Sequence, residues 1–181
     1  MSHYIALVPA NNREDLAAKM LPYHEYGLGM DMGEGEKRFL VHDKEHGLHN
    51  PNARWDWYGR ECGLLKLKPQ WAGQRTLQKL AWWIRHQLLK LEPRENDPCI
   101  GHGFGATDNA LVGQVNWESN MQNNPYGSQV LIDAFVDLEG NWHDRRMMNE
   151  LDKERRYDAA VWRFVRSLPN RQRIYTVYYH S

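Results

Sequence analysis

The segment that decides the fold of this chain is 129–143, with the sequence QVLIDAFVDLEGNWH. Residues 129–137 are rich in β-branched and aromatic side chains and predict a strand. Residues 138–141 contain the glycine and asparagine that are typical of a tight turn, and Trp142 with His143 begins a return strand. The segment therefore predicts a β-hairpin.

The sequence on either side of this hairpin predicts further strands and helices. A helix over residues 149–168 is indicated by apolar side chains on one face, namely Tyr157, Val161, Phe164, Val165 and Leu168. A β-branched and aromatic strand over 173–179 follows it. Near the start of the sequence, residues 4–8 predict a strand, and Asn12 can cap a short helix that Pro22 ends.

The middle of the chain carries the clearest helical periodicity, over residues 72–92. Apolar residues form one stripe along this helix, and charged residues and a histidine lie away from its centre. The stripe is Leu77, Leu80, Ala81, Ile84, Leu88 and Leu91, and the others are Arg75, Lys79, His86 and Lys90. Short strands are predicted over 38–42 and 64–68, turns over 43–52, and a long loop over 93–128, which is rich in Gly, Asn and Pro.

These elements predict an α+β fold with a largely antiparallel sheet and two main helices. A ferredoxin-like arrangement, in which the first and last strands lie side by side, is the expected topology. The 181 residues suit a single domain, 1–181, with a loop-rich insertion around 93–128. The two cysteines exclude a disulfide framework and favour a reducing cytoplasm, and no apolar run approaches the roughly 18 residues that cross a membrane.

Charge is distributed unevenly along the chain, although 23 basic and 23 acidic residues leave no net charge. Residues 64–94 carry 7 basic groups and 1 acidic group, whereas residues 95–143 carry 7 acidic groups and no basic one. A cationic face of this kind can bind phosphate groups, and an anionic face repels nucleic acid. The two segments can equally pair with each other across the fold.

Aromatic and charged side chains are concentrated in residues 54–60, RWDWYGR. The rings can stack on a base, the arginines can form paired hydrogen bonds with a phosphate, and Asp56 can accept from a base edge. In the structural alternative, Trp55 and Trp57 are buried and Asp56 caps the adjoining turn. Considered by itself, the segment favours this alternative.

Three histidines, His42, His46 and His49, lie close together in a polar segment. Their spacing can bring imidazoles to one metal ion, but Gly47 disfavours the helix that would align His42 with His46. Surface histidines are the favoured interpretation, so the sequence predicts no metal site and no cofactor.

Further weak patterns occur elsewhere in the chain. Cys99 and His102 form a Cys-x-x-His pair without a second pair, and residues 101–106 only partly resemble a dinucleotide-binding loop and can instead form a flexible lid. Asp133 and Asp137 share one face of the predicted strand and can serve acid–base chemistry, although a solvated sheet face is favoured.

The strongest motif in the sequence is Asn50-Pro51 followed by Arg54-Trp55-Asp56-Trp57-Tyr58. It stands between the initial Met1-Ser2-His3-Tyr4 and Leu65-Lys66-Leu67-Lys68-Pro69, and Asp108-Asn109-Ala110 and residues 134–142 complete the pattern. Read together, these segments resemble a family of uncharacterised proteins from bacteriophages and prophages. The chain departs from that pattern by a shorter stretch after Tyr58 and by Glu61, where the family usually has tryptophan.

The resemblance implies expression in the host cytoplasm, and small accessory phage proteins are often directed against host defences. The predicted function is therefore a non-enzymatic counter-defence protein that binds a host defence component and sequesters a nucleotide second messenger. In this prediction, aromatic rings stack on bases while basic groups hold phosphates. The predicted ligand-binding residues are Asn50, Arg54, Trp55, Asp56, Trp57, Tyr58, Arg60, Lys66 and Lys68.

Two alternatives stay open. The first is a phosphodiesterase-like hydrolase that cleaves a nucleotide, with His42, His46, His49 or Asp56 in acid–base roles. The second is a protein-binding inhibitor that docks its acidic residues 95–143 on a basic surface of a host nucleic-acid-targeting complex. Each predicts a partner in the host cytoplasm and none in a membrane, and each is compatible with a homo-oligomer.

Overall fold

The computed structural model describes residues 3–25, 38–60, 65–91, 106–122, 132–145 and 153–180. Only the backbone is described for residues 3, 57, 60, 106, 120–122 and 153–155. The strands are β1 (His3–Pro9), β2 (Val41–Asp43), β3 (Gly47–His49), β4 (Trp57–Arg60), β5 (Leu65–Lys66), β6 (Ala106–Thr107), β7 (Asn109–Leu111), β8 (Ala134–Val136), β9 (Trp142–Asp144) and β10 (Arg173–His180). The α-helices are α1 (Arg13–Met20), α2 (Pro69–Trp83), α3 (Trp117–Gln122) and α4 (Lys153–Ser167). A π-helical turn, Ile84–Leu88, extends α2, and short 3₁₀ turns span Leu21–Tyr23 and Val112–Gln114.

The main sheet has the strand order β4-β10-β1-β8-β9, and β7 also pairs with β10. Strands β1 and β10 run antiparallel along their whole length, from His3 opposite His180 to Pro9 opposite Ile174. This confirms the α+β fold, the mostly antiparallel sheet and the adjacency of the first and last strands. Strand β8 lies directly beside β1 and parallel to it, whereas a split βαβ unit would place one strand between them.

The sheet buries both of its faces because consecutive residues of a strand point to opposite sides. Leu7 and Ile174 pack on one side with the apolar stripe of α4, which is buried as predicted. Ala6 and Val8 pack on the other side with Leu16 and other residues of α1. The fold therefore has three layers, with the sheet between α1 and α4.

Two local predictions are confirmed at the level of hydrogen bonds. The Asn12 side chain accepts from the backbone N–H of Asp15 at 2.8 Å and so caps α1. The turn between β8 and β9 is closed by Asp137, whose Oδ1 accepts from the backbone N–H of Asn141 at 2.8 Å. Gly140 stands at φ +90° in this turn, a conformation that side chains other than glycine rarely adopt.

The orientation of α2 is the opposite of what its apolar stripe suggests. An apolar stripe ordinarily faces the core, but Leu77, Leu80, Ile84, Leu88 and Leu91 are exposed. Lys79, which the sequence places away from the centre of the stripe, is buried with 2% of its surface exposed, and His86 is buried as well. The polar face is held inward in part by Arg75, whose Nη2 donates to Thr107 Oγ1 at 2.7 Å.

We therefore predict that two leucines respond very differently to truncation. Leu77 is 67% exposed, so Leu77→Ala is expected to change the free energy of unfolding by no more than about 0.5 kcal/mol. Leu168 is 5% exposed in the core, so Leu168→Ala is expected to cost about 2–5 kcal/mol. Urea unfolding of both variants measures this, and equal losses would show that the apolar face of α2 is covered.

Residues 106–122 correct the prediction of an uninterrupted loop over 93–128. They form β6, β7, a 3₁₀ turn and α3, and Ala110, Val112 and Val115 lie in the core. Strands β6 and β7 are too short to be recognised from composition. Their conformation depends on pairing with β5 and β10, which are distant in sequence. Residues 93–105 and 123–128 lie outside the described residues.

The polar segment predicted as turns over 43–52 also contains a strand. β3 pairs with β2 in a small hairpin, in which Asp43 stands opposite Gly47 and Val41 opposite His49. Gly47 has φ +67°, which suits the end of a short hairpin loop. Within the described part of the chain, no helix is long and apolar enough to cross a membrane.

Candidate anion-binding site

Trp55 serves the core rather than a binding surface. Its side chain is 6% exposed, and its Nε1 donates to the backbone oxygen of Met20 at 3.2 Å. Its ring meets those of His24 and Tyr58 edge-on, with centroids 4.4 and 4.8 Å away. This burial favours the structural alternative for Trp55, and its stacking on a base stays a prediction.

The neighbouring predicted site residues make structural contacts. Asn50 is buried, and its Nδ2 donates to the backbone oxygens of Pro22 and His24, both at 2.9 Å. Asp56 lies 2.7 Å from the ring nitrogen Nδ1 of His180, which joins the residue before β4 to the end of β10. Arg54 donates through Nη1 to the oxygen of Ala53 at 2.6 Å.

The rest of the aromatic segment follows β4. Tyr58 is half-buried against the core cluster that contains Trp55, and this burial raises the pKa of its hydroxyl above the usual range. The backbone of Trp57 pairs with His180 and that of Arg60 with Val177. The side chains of Trp57 and Arg60 lie outside the described parts of the chain, so their predicted roles stay predictions.

Lys66 and Lys68 flank a cleft that the sequence did not single out. Leu67 lies between them and lines this cleft, whereas Lys68 directs its Nζ to the oxygen of Gly113 at 2.8 Å. Lys66 is exposed. Neither lysine is among the residues that line the cleft, so both border it through their neighbour Leu67.

The cleft lies between α2 and the edge formed by β7 and the start of β10, and has a volume of about 190 Å³. Trp71 and Leu67 contribute its apolar surface. The polar side chains that line it are Gln74, Arg75, Gln78, Asn109, Gln114 and Arg173. We name it the arginine cleft, after Arg75 and Arg173.

Neighbouring polar groups hold both guanidinium groups in place. Arg75 donates through Nη2 to Thr107 and through Nη1 to Gln78 Oε1 at 3.0 Å. Arg173 donates through Nη1 to Asn109 Oδ1 at 2.6 Å, which takes one of the five N–H donors that a guanidinium carries. Asn109 donates in turn to Asp108 Oδ1 at 2.9 Å. The arginines are thus oriented before any ligand arrives.

The described charged groups of this region include two buried ones. Lys79 is 2% exposed and Asp108 is fully buried. Burial lowers the pKa of the Lys79 amine, the charge of Arg75 lowers it further, and the Asp108 carboxylate opposes both effects. Among the residues that the structure describes here, Arg75 and Arg173 line the cleft and the Asp108 carboxylate does not, which favours an anion in the arginine cleft.

The structure brings two of the three predicted histidines together with an aspartate. Ligand atoms of Asp43, His46 and His49 all lie within 4.8 Å of one another on the β2–β3 hairpin. His42 is on the neighbouring position of β2 and points to the opposite face. A hydrogen bond from the backbone N–H of His46 lowers the pKa of the Asp43 carboxyl.

The two carboxylates that the sequence placed on one strand face, Asp133 and Asp137, have different partners. Asp133 precedes β8 and accepts from the backbone N–H of Ile5 at 2.9 Å, whereas Asp137 lies 2.7 Å from His143 Nε2. Their different partners show separate structural roles. Cys99, His102 and the glycine-rich residues 101–105 lie outside the described residues.

No protein-family model matches this chain, and neither curated proteins nor solved structures give a significant match.

Proposed function

We propose that this protein binds a small phosphate-bearing ligand of the nucleotide class in the arginine cleft. The observation that carries the proposal is the convergence of Arg75 and Arg173, from separate elements, on one open cavity. Guanidinium groups match phosphate oxygens through paired hydrogen bonds. Side-chain amides of Gln74, Gln78 and Gln114 surround them and can donate to further oxygens.

The size of the cleft limits how much of the ligand it holds. A volume of about 190 Å³ is below the roughly 300–1,000 Å³ of pockets that enclose a drug-sized molecule. The phosphate group therefore enters the cleft, and the base lies at its mouth against the half-buried ring of Trp71. Stacking of a base on an aromatic ring contributes about 1–3 kcal/mol, so this placement supports a nucleotide over inorganic phosphate.

The resemblance to bacteriophage proteins supplies the biological context of the proposal. A phage protein that holds a nucleotide without cleaving it can lower the free concentration of a host second messenger in the host cytoplasm. The predicted counter-defence role is thus kept, with its binding site moved from the aromatic segment to the arginine cleft. Lys66 and Lys68 keep a supporting role, because their charges border this cleft.

The test combines affinity measurement with arginine variants. The protein is titrated with a panel of cyclic and linear nucleotides, and binding is measured by calorimetry. We expect Arg75→Met and Arg173→Met each to weaken binding at least about tenfold, because a hydrogen bond to a charged group is worth about 1.5–3 kcal/mol. Arg163→Met is the matched control, since Arg163 is exposed on α4, and it should bind as the wild type does.

Two outcomes would overturn the placement of the site. One is binding that survives in both Arg75→Met and Arg173→Met while these variants remain folded. The other is loss of binding only in Trp57→Ala or Arg60→Ala, which would return the site to the aromatic segment. If the wild type retains none of the nucleotides, the protein-inhibitor alternative takes precedence, and salt-sensitive binding to a host protein becomes its test.

The hydrolase alternative keeps one observation in its favour, the grouping of His46 and His49 with Asp43. A filtration assay distinguishes cleavage of the nucleotide from its sequestration. The protein is incubated with each nucleotide and filtered, and the filtrate and the material released by heat are analysed by chromatography. Intact nucleotide released by heat supports sequestration, whereas new products that disappear with His46→Gln and His49→Gln support hydrolysis.

A further inference from the structure

We propose that the β2–β3 hairpin binds a divalent transition-metal ion such as Zn²⁺ through Asp43 Oδ2, His46 Nδ1 and His49 Nε2. Two imidazoles and one carboxylate form a common ligand set for zinc. Strand pairing supports it, because Asp43 and His49 lie on the same face of the two-stranded hairpin, and His46 is in the loop between the strands.

The two distances from the Asp43 carboxylate match the spacing of ligand atoms around a metal ion, and the three ligand atoms lie within 4.8 Å of one another. Asp43 Oδ2 lies 3.4 Å from His46 Nδ1 and 3.5 Å from His49 Nε2. In a tetrahedral zinc site with bonds of about 2.0–2.1 Å, neighbouring ligand atoms are about 3.3–3.4 Å apart. Elsewhere in this protein, histidine and aspartate that bond directly are 2.7 Å apart, as in His143 with Asp137 and His180 with Asp56.

Neighbouring backbone groups orient the ligands. Asp43 Oδ1 accepts from the backbone N–H groups of Glu45 and His46, at 2.9 and 2.7 Å, which fixes the carboxylate and turns Oδ2 toward the imidazoles. His49 Nδ1 lies 3.2 Å from the oxygen of Gly47, which can accept a hydrogen bond from it. In the tautomer with its proton on Nδ1, Nε2 presents a lone pair for a metal ion. Metal-binding histidines usually have this arrangement.

The chemistry of the ligands and their number define the ion. Imidazole nitrogen selects zinc and its transition-metal neighbours over Mg²⁺ and Ca²⁺, which prefer oxygen ligands. Three protein ligands leave the fourth position of a tetrahedral ion for water or another small ligand. The ligands are exposed or half-buried on the hairpin, so the ion can enter without unfolding the chain.

The test is a titration with Co²⁺ and Zn²⁺ on the full chain. Tetrahedral Co²⁺ absorbs visible light far more strongly than octahedral Co²⁺, and Zn²⁺ should displace it at one equivalent. We expect His46→Gln and His49→Gln each to weaken metal affinity by at least about tenfold. Asp43→Asn keeps an oxygen that can accept the two backbone N–H groups but removes the charge, and it should weaken affinity in the same direction.

Two controls address other possible ligands. His42→Gln alters the same hairpin on its opposite face, and the double substitution of Cys99→Ser with His102→Gln removes the other sequence pair. Both should bind metal as the wild type does, and circular dichroism should show every variant folded. The proposal fails if no tetrahedral spectrum appears, if His49→Gln binds metal like the wild type, or if Ca²⁺ competes as well as Zn²⁺.

Discussion

Trp55→Ala is expected to lower the free energy of unfolding by about 3–5 kcal/mol, the cost typical of removing a large buried ring. The indole is 6% exposed and packs with Tyr58 and with the core that contains Ala6 and Val177. It also satisfies the backbone oxygen of Met20, which the truncation would leave without this donor. Because small domains are stable by only about 5–15 kcal/mol, the variant would be near the limit of folding.

A matched tryptophan and a conservative change complete this test by urea unfolding. Trp83 is 48% exposed on α2, so Trp83→Ala should cost much less than Trp55→Ala. Trp55→Phe keeps an aromatic ring but removes the Nε1 donor, and a loss of about 1 kcal/mol is expected from the hydrogen bond. A Trp55→Ala protein as stable as the wild type but unable to bind nucleotide would support the predicted stacking role of this ring.

Asp108→Asn is expected to destabilise the protein by about 3–5 kcal/mol, because it removes the carboxylate that opposes the burial of Lys79. Both side chains are buried, with Asp108 at 0% and Lys79 at 2% exposure. The substitution is nearly isosteric, so most of the loss reflects charge. Lys79→Met in the Asp108→Asn background should recover part of the stability, since the buried ammonium is then absent.

The pH dependence of this variant gives an independent readout. Burial lowers the pKa of Lys79 from about 10.4, so between the two pKa values the unfolded chain binds more protons than the folded protein. Stability therefore rises with pH in that window. The rise should extend over a wider pH range, and so be larger in total, in Asp108→Asn, where the opposing carboxylate is missing. It should vanish when Lys79→Met is added. Additive losses in the double variant, or no rise of stability with pH in Asp108→Asn alone, would contradict the coupling.

Sequence patterns predicted the features that depend on residues close together in the chain. The stripe that runs from Tyr157 to Leu168 sets the buried face of α4, and the Leu138–Asn141 turn closes its hairpin. For α2, periodicity identifies an apolar stripe but not the side on which it packs. That side depends on Thr107 and Asp108, which contact the polar face from a segment whose short strands have no compositional signal.

The arginine cleft could not be predicted from sequence for a similar reason. Arg75 is on α2 and Arg173 begins β10, and only the pairing of β7 with β10 places Asn109 between them. The excess of basic residues over 64–94 indicated the region but not the residues. The sequence shows that the three histidines are close together along the chain. It does not show that a hairpin aligns Asp43 with His49, because this depends on the pairing of β2 with β3.

The position of β10 in the sheet has a consequence for synthesis of the protein. This strand lies between β1 and β4 and also pairs with β7, so residues 173–180 complete contacts with three earlier strands. When β1 leaves the ribosome, its antiparallel neighbour β10 has not yet been synthesised. The sheet therefore closes only after residues 173–180 have been synthesised, and until then β1 exposes an unpaired apolar edge that a chaperone or another nascent chain can occupy.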